Sequence, residues 1–259
     1  MNIKILVVTH KRYKMPDDPM YIPIQSGHEI WDDLGYMGDD TGDNISYKNP
    51  IYNELCPIYW AWKNLQSDFI GIVHYRRYLS LKVKSKNKYE CILSKEDAIK
   101  LCSENDIILP PKRRYYFESI YKHYASCQSN LSDMHTKDLE TLKSVMYQNQ
   151  PDYVEAFETV MNSHSGHMFH IFIMKKEIYD SFCEWMFTIM FEVEKIRHEK
   201  RQDKTRYIGA LSEFLLDIWI IKKKYMFKEI GLVEIEEQSI VKRGVQVLNR
   251  KFLNAKVRL

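Results

Sequence analysis

The sequence lacks the signals of several large protein classes. Its five cysteines are odd in number and form no CxxC pair, so we expect reduced thiols rather than a disulfide framework or a zinc site. No apolar run is long enough to span a bilayer, and the N-terminal run is too short for a signal peptide. The net charge of +3 gives no reason to expect binding to nucleic acid. These absences favour a cytoplasmic globular protein.

Familiar nucleotide and metal motifs are missing as well. Neither GxGxxG nor GxxxxGK[ST] occurs, which removes the main support for a dinucleotide site or a P-loop. The acidic stretch that begins at Asp39 has Pro50 where a calcium loop needs glutamate. Three histidines, His164, His167 and His170, have no fourth ligand at zinc spacing. We therefore predict neither a metal site nor a cofactor.

What the chain does contain is a buried strand that ends in cations. The run from Phe69 to Val73 predicts such a strand, and His74, Arg76 and Arg77 come directly after it. In open α/β sheets ligands bind beyond the carboxyl ends of the strands. Arginine also suits a planar anion such as phosphate. We therefore predict an anion site, most simply for a diphosphate, with solvated charges or structural ion pairs as the alternative.

The same pattern occurs a second time. A short buried strand is predicted from Asp106 to Leu109, and Lys112 and Arg113 follow it. Two basic strand ends that point the same way would line one electropositive cleft. The repetition makes the anion site a more specific prediction than either strand end alone.

The first strand candidate, Ile3 to Val8, also ends in polar and basic residues, Thr9 and Lys11. The long turn-rich stretch that follows carries Asp43 and Asn44, which could contact a base or ribose or could cap the next helix. Both interpretations stay open from the residues alone.

Two predicted helices hold further candidates. In the helix from Asn53 to Leu65, Trp60 falls partly off the apolar face, so it either packs in the core or faces a cleft. A second apolar helix, Tyr207 to Ile220, contains Glu213 and Asp217. A carboxylate in apolar surroundings has a raised pKa and can serve as a base, whereas a structural Glu213 would cap amides or pair with Arg206.

The segment from Phe169 to Met174 predicts a strand in which alternation places His170 on the face opposite Phe169 and Ile171. The chain as a whole predicts one α/β domain, with a strand-rich first half and a helix-rich second half. Its tail, residues 241–259, is basic and amphipathic, which suits contact with an anionic membrane surface or a solvated end helix.

Five blocks occur in order along the chain: ISYKNPIYNELCPIYWAWKN, IGIVHYRRYL, DIILPPKRRYY, HMFHIFIMKKEIYDSFCEWMF and RYIGALSEFLLDIW. Together they resemble a family of bacterial glycosyltransferases from capsule, exopolysaccharide and lipopolysaccharide loci, long catalogued as a domain of unknown function. The resemblance covers roughly Lys4 to Glu234. Some relatives are regarded as galactofuranosyltransferases.

The resemblance implies a GT-A-like single domain with a mostly parallel central sheet flanked by helices. Residues 1–116 would bind the nucleotide-sugar donor, which we expect to be a UDP-sugar, with UDP-galactofuranose as one candidate. Residues 117–240 would hold the acceptor and the catalytic base. The acceptor would be a surface glycan or a lipid-linked glycan, on the cytoplasmic face of the inner membrane. The basic tail, 241–259, would make any contact with that membrane.

The resemblance also assigns roles to the candidate residues. The catalytic candidates are Glu213, at the position where GT-A enzymes commonly keep the base, and Asp217 as the second choice. Contacts to the donor are expected from Thr9, Lys11, Asp43, Asn44, His74, Arg76, Arg77, Lys112 and Arg113. Contacts to the acceptor are expected from Trp60, His167 and His170, the last standing where the family more usually has asparagine.

One departure concerns the metal. GT-A transferases ordinarily hold a divalent cation with a D-x-D motif after a buried strand, and this chain has HYRRY where that motif would stand. Cationic side chains can replace the metal in neutralising a diphosphate, so we expect metal-independent transfer. The competing hypotheses are a glycan- or nucleotide-sugar-binding module without turnover and a metal-dependent hydrolase built on the histidines.

Overall fold

The structure, a computed structural model, describes residues 1–82, 85–126, 132–201 and 203–236. The basic tail, for which we predicted membrane contact, lies outside these ranges. None of the helices within them is both long and apolar enough to cross a membrane. Four cysteines are free and buried: Cys56, Cys91, Cys102 and Cys183.

The strands of the described ranges are β1 (Ile3–Thr9), β2 (Tyr21–Gln25), β3 (Met37–Gly38), β4 (Phe69–His74), β5 (Arg77–Ser80), β6 (Ile107–Leu109), β7 (Arg113–Arg114), β8 (Ser165–Gly166), β9 (Phe172–Lys175), β10 (Lys228–Glu229) and β11 (Gly231–Glu234).

The α-helices of the same ranges are α1 (Asn49–Tyr52), α2 (Leu55–Asn64), α3 (Lys95–Glu104), α4 (Ile120–Ser126), α5 (Ser132–Asn149), α6 (Val154–Asn162), α7 (Lys176–Arg197), α8 (Tyr207–Ser212) and α9 (Leu215–Lys223). Short 3₁₀ turns lie at Ser46–Lys48, Lys88–Cys91, Pro151–Tyr153 and His198–Lys200.

The central sheet has the strand order β10-β6-β9-β4-β1-β2-β3, and β5 joins β4 to β11 beside it. Strands β4, β1, β2 and β3 are parallel, as are β10 and β6. Strand β9 lies between β4 and β6 and runs antiparallel to both. The predicted α/β fold with a mostly parallel central sheet is confirmed.

Both faces of the sheet are buried, and alternate residues of β1 show it. Leu6 and Val8 belong to the larger core, which the helices of the second half cover, while Ile5 and Val7 belong to a smaller core on the other face. A strand buried on both faces reads as a continuous apolar run, because neither side can be polar. This explains why β1, β4 and β6 were recognisable from the sequence.

The helix predicted from Tyr207 to Ile220 is in fact two helices. Helix α8 ends at Ser212 and α9 begins at Leu215, so Glu213 lies at the junction. The interruption is slight, since Glu213 keeps right-handed angles of φ −56° and ψ −25°. No glycine or proline marks the junction, which is why the apolar pattern predicted one helix.

Candidate active site

Three strand ends meet at one edge of the sheet. Strands β4 and β6 are both antiparallel to β9, so they run in the same direction, and β1 runs parallel to β4. Their carboxyl ends therefore lie on one side, and the segment that leads into β9 enters from that side. The arrangement is the one that the two basic strand ends predicted.

A pocket of about 330 Å³ opens at this edge, between α4, α8 and the segment before β9. One strand-end cation, Arg113, lines it together with Glu213. Other residues of its wall are Tyr115, Phe169, Arg201, Arg206 and Tyr207. We call this space the Glu213 pocket.

Glu213 is a half-buried carboxylate whose pKa is raised strongly. Burial raises its pKa to about 7, the negative charge of Glu54 adds to that effect, and His170 and Arg113 oppose it. Its carboxylate also accepts a hydrogen bond from the backbone N–H of Phe169. A carboxylate with a pKa near neutrality can both take up and release a proton near pH 7.

The turn that holds Phe169 has unusual backbone geometry. Phe169 and the next residue, His170, both have left-handed angles, with φ of 75° and 48°. Such conformations cost on the order of 1–3 kcal/mol each in residues other than glycine and persist where surrounding contacts enforce them. One such contact is with His74, whose Nε2–H donates to the carbonyl oxygen of Phe169 at 2.5 Å. The strand that alternation predicted for His170 begins only at Phe172.

His74 is therefore a buried residue that holds the turn at Phe169, and it does not lie on the surface of the site. Burial lowers the pKa of its imidazole, so the ring is neutral near pH 7. A neutral, buried ring does not supply charge to a diphosphate, which is the role that the sequence suggested for it.

Two of the predicted arginines come together on one aromatic ring. The guanidinium carbon of Arg77 lies 4.1 Å from the centroid of Phe169, and that of Arg113 lies 5.7 Å from it. They differ in their other contacts, because Arg77 is buried and forms an ion pair with Glu234 at 3.3 Å. Arg113 is exposed and also lies over Tyr115.

Other predicted cations have a carboxylate partner. Lys11 Nζ lies 3.0 Å from Glu236 Oε1, and Arg76 Nη1 lies 3.6 Å from Glu236 Oε2. The hydrogen bond to Glu236 raises the pKa of Lys11. We call Lys11, Arg76 and Glu236 the Glu236 cluster. Lys112, next to Arg113, does not line the Glu213 pocket.

Thr9 and Trp60 serve the fold in this structure. Thr9 is buried, and its Oγ1 closes the turn after β1 by bonding to the backbone of Lys11. Trp60 is buried in α2, and its indole N–H donates to Thr41 Oγ1 at 2.9 Å. Neither residue reaches the Glu213 pocket.

The loop that carries Asp43 and Asn44 is closed by its own hydrogen bonds. Asp43 accepts from the hydroxyl of Tyr59 at 3.2 Å, and Asn44 accepts from the backbone N–H of Ser46. Neither residue lines the Glu213 pocket. These bonds stabilise the loop, and the 3₁₀ turn that follows it, Ser46–Lys48, has no side-chain cap, so the structure shows neither residue in the capping role.

His167 and Asp217, predicted for different roles, are bonded to each other. His167 Nδ1 lies 2.5 Å from Asp217 Oδ1, and the backbone N–H of His167 donates to Asp217 Oδ2 at 3.0 Å. His167 Nε2 lies 2.9 Å from Glu229. Both oxygens of the buried Asp217 are thus engaged, so it anchors the segment before β9 to α9.

Sequence reasoning missed two residues of the site. Arg206 lines the Glu213 pocket and has a left-handed backbone conformation (φ 58°) just before α8. Its positive charge helps to lower the pKa of His10, which lies beside the Glu236 cluster. Glu54 approaches from the start of α2. No local pattern marks either one, because both reach the site through the fold. Among the described residues, no three His, Cys, Asp or Glu side chains are grouped closely enough to hold a metal ion.

Residues 4–224 match the family described as Domain of unknown function (DUF4422). The chain belongs to this family. No curated protein matches the chain.

The chain is also similar to a solved structure, the apo form of the WbbM bifunctional glycosyltransferase. The two share 29% sequence identity with a TM-score of 0.82. The match covers 92% of this chain and 46% of WbbM, so this chain spans about half of that protein. The GT-A-like α/β fold expected from the sequence is the fold found.

Proposed function

We propose that the chain is a glycosyltransferase that moves a sugar from a nucleotide-sugar donor to a hydroxyl of a glycan. The observation that carries the proposal is the presence of Glu213, with a pKa raised to about 7, in one pocket with Arg113. Glycosyl transfer needs a base for the acceptor hydroxyl and positive charge for the leaving diphosphate. The similarity to WbbM, a bifunctional glycosyltransferase, supports the same activity.

The proposed step is a single inverting displacement. Glu213 takes the proton of the acceptor hydroxyl while the oxygen of that hydroxyl forms a bond to the anomeric carbon of the donor sugar. The bond from that carbon to the diphosphate oxygen breaks, and the electron pair leaves with the nucleoside diphosphate. Arg113 and Arg206 lie in the same pocket and would neutralise the charge that develops on the leaving group.

Details of the substrates follow the family resemblance. We propose a UDP-linked hexose as donor, with UDP-galactofuranose as a candidate, and a surface polysaccharide or its lipid-linked precursor as acceptor. Transfer would take place in the cytoplasm at the inner face of the membrane. We further propose that no divalent cation is required, because Arg113 and Arg206 would neutralise the diphosphate in place of a cation held by a D-x-D motif.

The test is an assay of the purified chain against a panel of UDP-sugars with glycan acceptors. Thermal shift comes first, since a ligand that binds the folded form raises the melting temperature. We expect at least one donor to bind and to be transferred or slowly hydrolysed, with EDTA having no effect. A donor that binds without any turnover would favour the binding-module hypothesis. Dependence on Mn²⁺ would contradict the metal-independent mechanism.

A further inference from the structure

A buried chain of three polar side chains lies behind the Glu213 pocket, and the transfer step described above does not use it. His170 Nδ1 lies 3.4 Å from Glu54 Oε1, and His170 Nε2 lies 3.2 Å from Ser212 Oγ. The imidazole of His170 is fully buried, and the Glu54 side chain is 14% exposed. Polar groups buried this deeply need hydrogen-bond partners in the protein, because losing their hydrogen bonds to water is costly.

The hydrogen-bond inventory fixes the direction of each bond. The Ser212 hydroxyl donates its one hydrogen to the carbonyl of Gly209 at 2.8 Å, so it accepts from His170 Nε2–H. On the other side the Glu54 carboxylate accepts from Nδ1–H. In this arrangement both nitrogens of His170 are donors, which ties the buried ring to Glu54 on one side and to Ser212 on the other.

This chain reaches Glu213 by two routes. Ser212 directly precedes Glu213 at the end of α8. His170 directly follows Phe169, whose backbone N–H hydrogen-bonds to the Glu213 carboxylate. Both members of that left-handed turn are thus held in place, Phe169 by His74 and His170 by Glu54.

We propose that Glu54 is a positioning residue, which fixes the Glu213 carboxylate through His170 and the left-handed turn at Phe169. The inference rests on the proposed function for its catalytic meaning, and its geometry is independent of it. Glu54 does not line the Glu213 pocket, so its action on a substrate would be indirect.

The electrostatics agree with the geometry. Burial is the largest single effect on Glu54 and raises its pKa, but the hydrogen bond from His170 and the smaller effects that act with it together lower the pKa of Glu54. The same negative charge, after burial, raises the pKa of Glu213. Two carboxylates whose pKa values are moved apart take different roles, one staying ionised and one exchanging protons.

Other charged and titratable groups face Glu213 from the surrounding elements. Arg113 of β7 lowers its pKa, as does His170. The remaining walls of the pocket carry His123, His135, Arg201, Asp203 and Arg206, besides three tyrosines. None of these changes in the variants below, so a shift between variants reports on Glu54 and His170.

The experiment is a direct titration of the Glu213 carboxyl by NMR with ¹³C-labelled glutamate, its signal assigned by its loss in Glu213→Gln. We expect a midpoint near 7 in the unaltered protein, a fall of about one pH unit in Glu54→Gln, and little change in Glu54→Asp. His170→Gln removes a group that lowers the pKa of Glu213 and should move the midpoint upward. Glu140→Gln, on the exposed face of α5, is the control and should change nothing.

A Glu54→Gln midpoint equal to that of the unaltered protein would overturn the inference. If Glu54→Gln does not fold, the upward shift in His170→Gln decides instead, and its absence would have the same force. Where a donor is known, the acidic limb of kcat/KM should move with the NMR midpoint, while a merely structural role would lower kcat at every pH. Shifted midpoints in a protein that transfers no sugar would contradict the proposed function and leave Glu54 as the positioning residue.

Discussion

Two groups of cations near one edge of the sheet differ in their electrostatic surroundings. In the Glu236 cluster, Lys11 and Arg76 share one carboxylate. In the Glu213 pocket, Arg113 and Arg206 have no ion-pair partner among the residues that the structure describes, and the carboxylate beside them is raised in pKa to about 7. Both groups contain basic residues, but only those of the Glu213 pocket have positive charge that is not already paired with a carboxylate in the described part of the chain.

The difference arises from a distant part of the chain. Strand β11 pairs with β5 and brings Glu234 to Arg77, and the residues just beyond it bring Glu236 to Lys11 and Arg76. No equivalent acidic strand reaches β7 in the described part of the chain. A strand-end arginine can thus bind an anion readily only where the fold places no carboxylate beside it. Arg77 is intermediate, since it touches Phe169 and is also paired.

The strongest test of this comparison is a pair of matched substitutions. Arg113→Gln should weaken binding of UDP by about 10- to 100-fold, because it removes a charge-assisted hydrogen bond. Arg76→Gln should weaken it by about threefold or less, because that charge is already shared with Glu236. Isothermal calorimetry of both variants measures the difference. Equal losses, or a larger loss in Arg76→Gln, would show that the Glu236 cluster is the anion site.

The pH dependence of turnover separates the two regions by a different property. Since Glu213 is active when ionised and its pKa is about 7, kcat should rise roughly tenfold per pH unit below that value and level off above it. Rate profiles between pH 5 and 9 measure the midpoint. A midpoint near the ordinary glutamate value of about 4.3 would mean that Glu213 is not the base.

Much of the site's framework was predictable from the sequence. Strands β1, β4 and β6 are apolar runs that are followed by charged residues. These features depend on neighbours in the chain, so a local pattern reveals them. The single edge shared by β4 and β6 was also a sound inference, although it is β9 that enforces it.

The parts that could not be predicted depend on contacts between distant residues. Glu54 meets His170 across 116 positions, and Lys11 meets Glu236 across 225. The left-handed turn at Phe169 carries no glycine or asparagine, so its sequence gives no sign of positive φ. For the same reason His74 was assigned to the donor and Asp217 was the second choice for the base, whereas the fold uses both to hold the segment before β9.

Stability gives a smaller and independent effect. The folded-state pKa of Glu213 lies above its unfolded value, so its contribution to stability is present below about pH 4.5 and is lost as the pH rises through 7. The free energy of unfolding of Glu213→Gln, measured relative to that of the unaltered protein, should therefore be higher at pH 8 than at pH 5 by on the order of 2 kcal/mol. Thermal unfolding at the two pH values measures this. An identical difference in melting temperature at both would contradict the raised pKa.

The smallest effect concerns the Glu236 cluster itself. Glu236→Gln should release Lys11 and Arg76 and strengthen UDP binding slightly, by about threefold or less at low salt. The gain should disappear at high salt, because these charges are exposed and screened. Titrations at two salt concentrations measure it. Weaker binding in this variant would mean that Glu236 helps to place the donor.

The central claim is that Glu213 is the proton acceptor of the transfer. It is tested most directly by measuring kcat and donor affinity together in Glu213→Gln, with Glu140→Gln as the control. We expect kcat to fall by about 10²- to 10⁴-fold while calorimetry shows unchanged donor affinity, and Glu140→Gln to behave as the unaltered protein. Equal loss of turnover and binding, or full activity in Glu213→Gln, would contradict the claim.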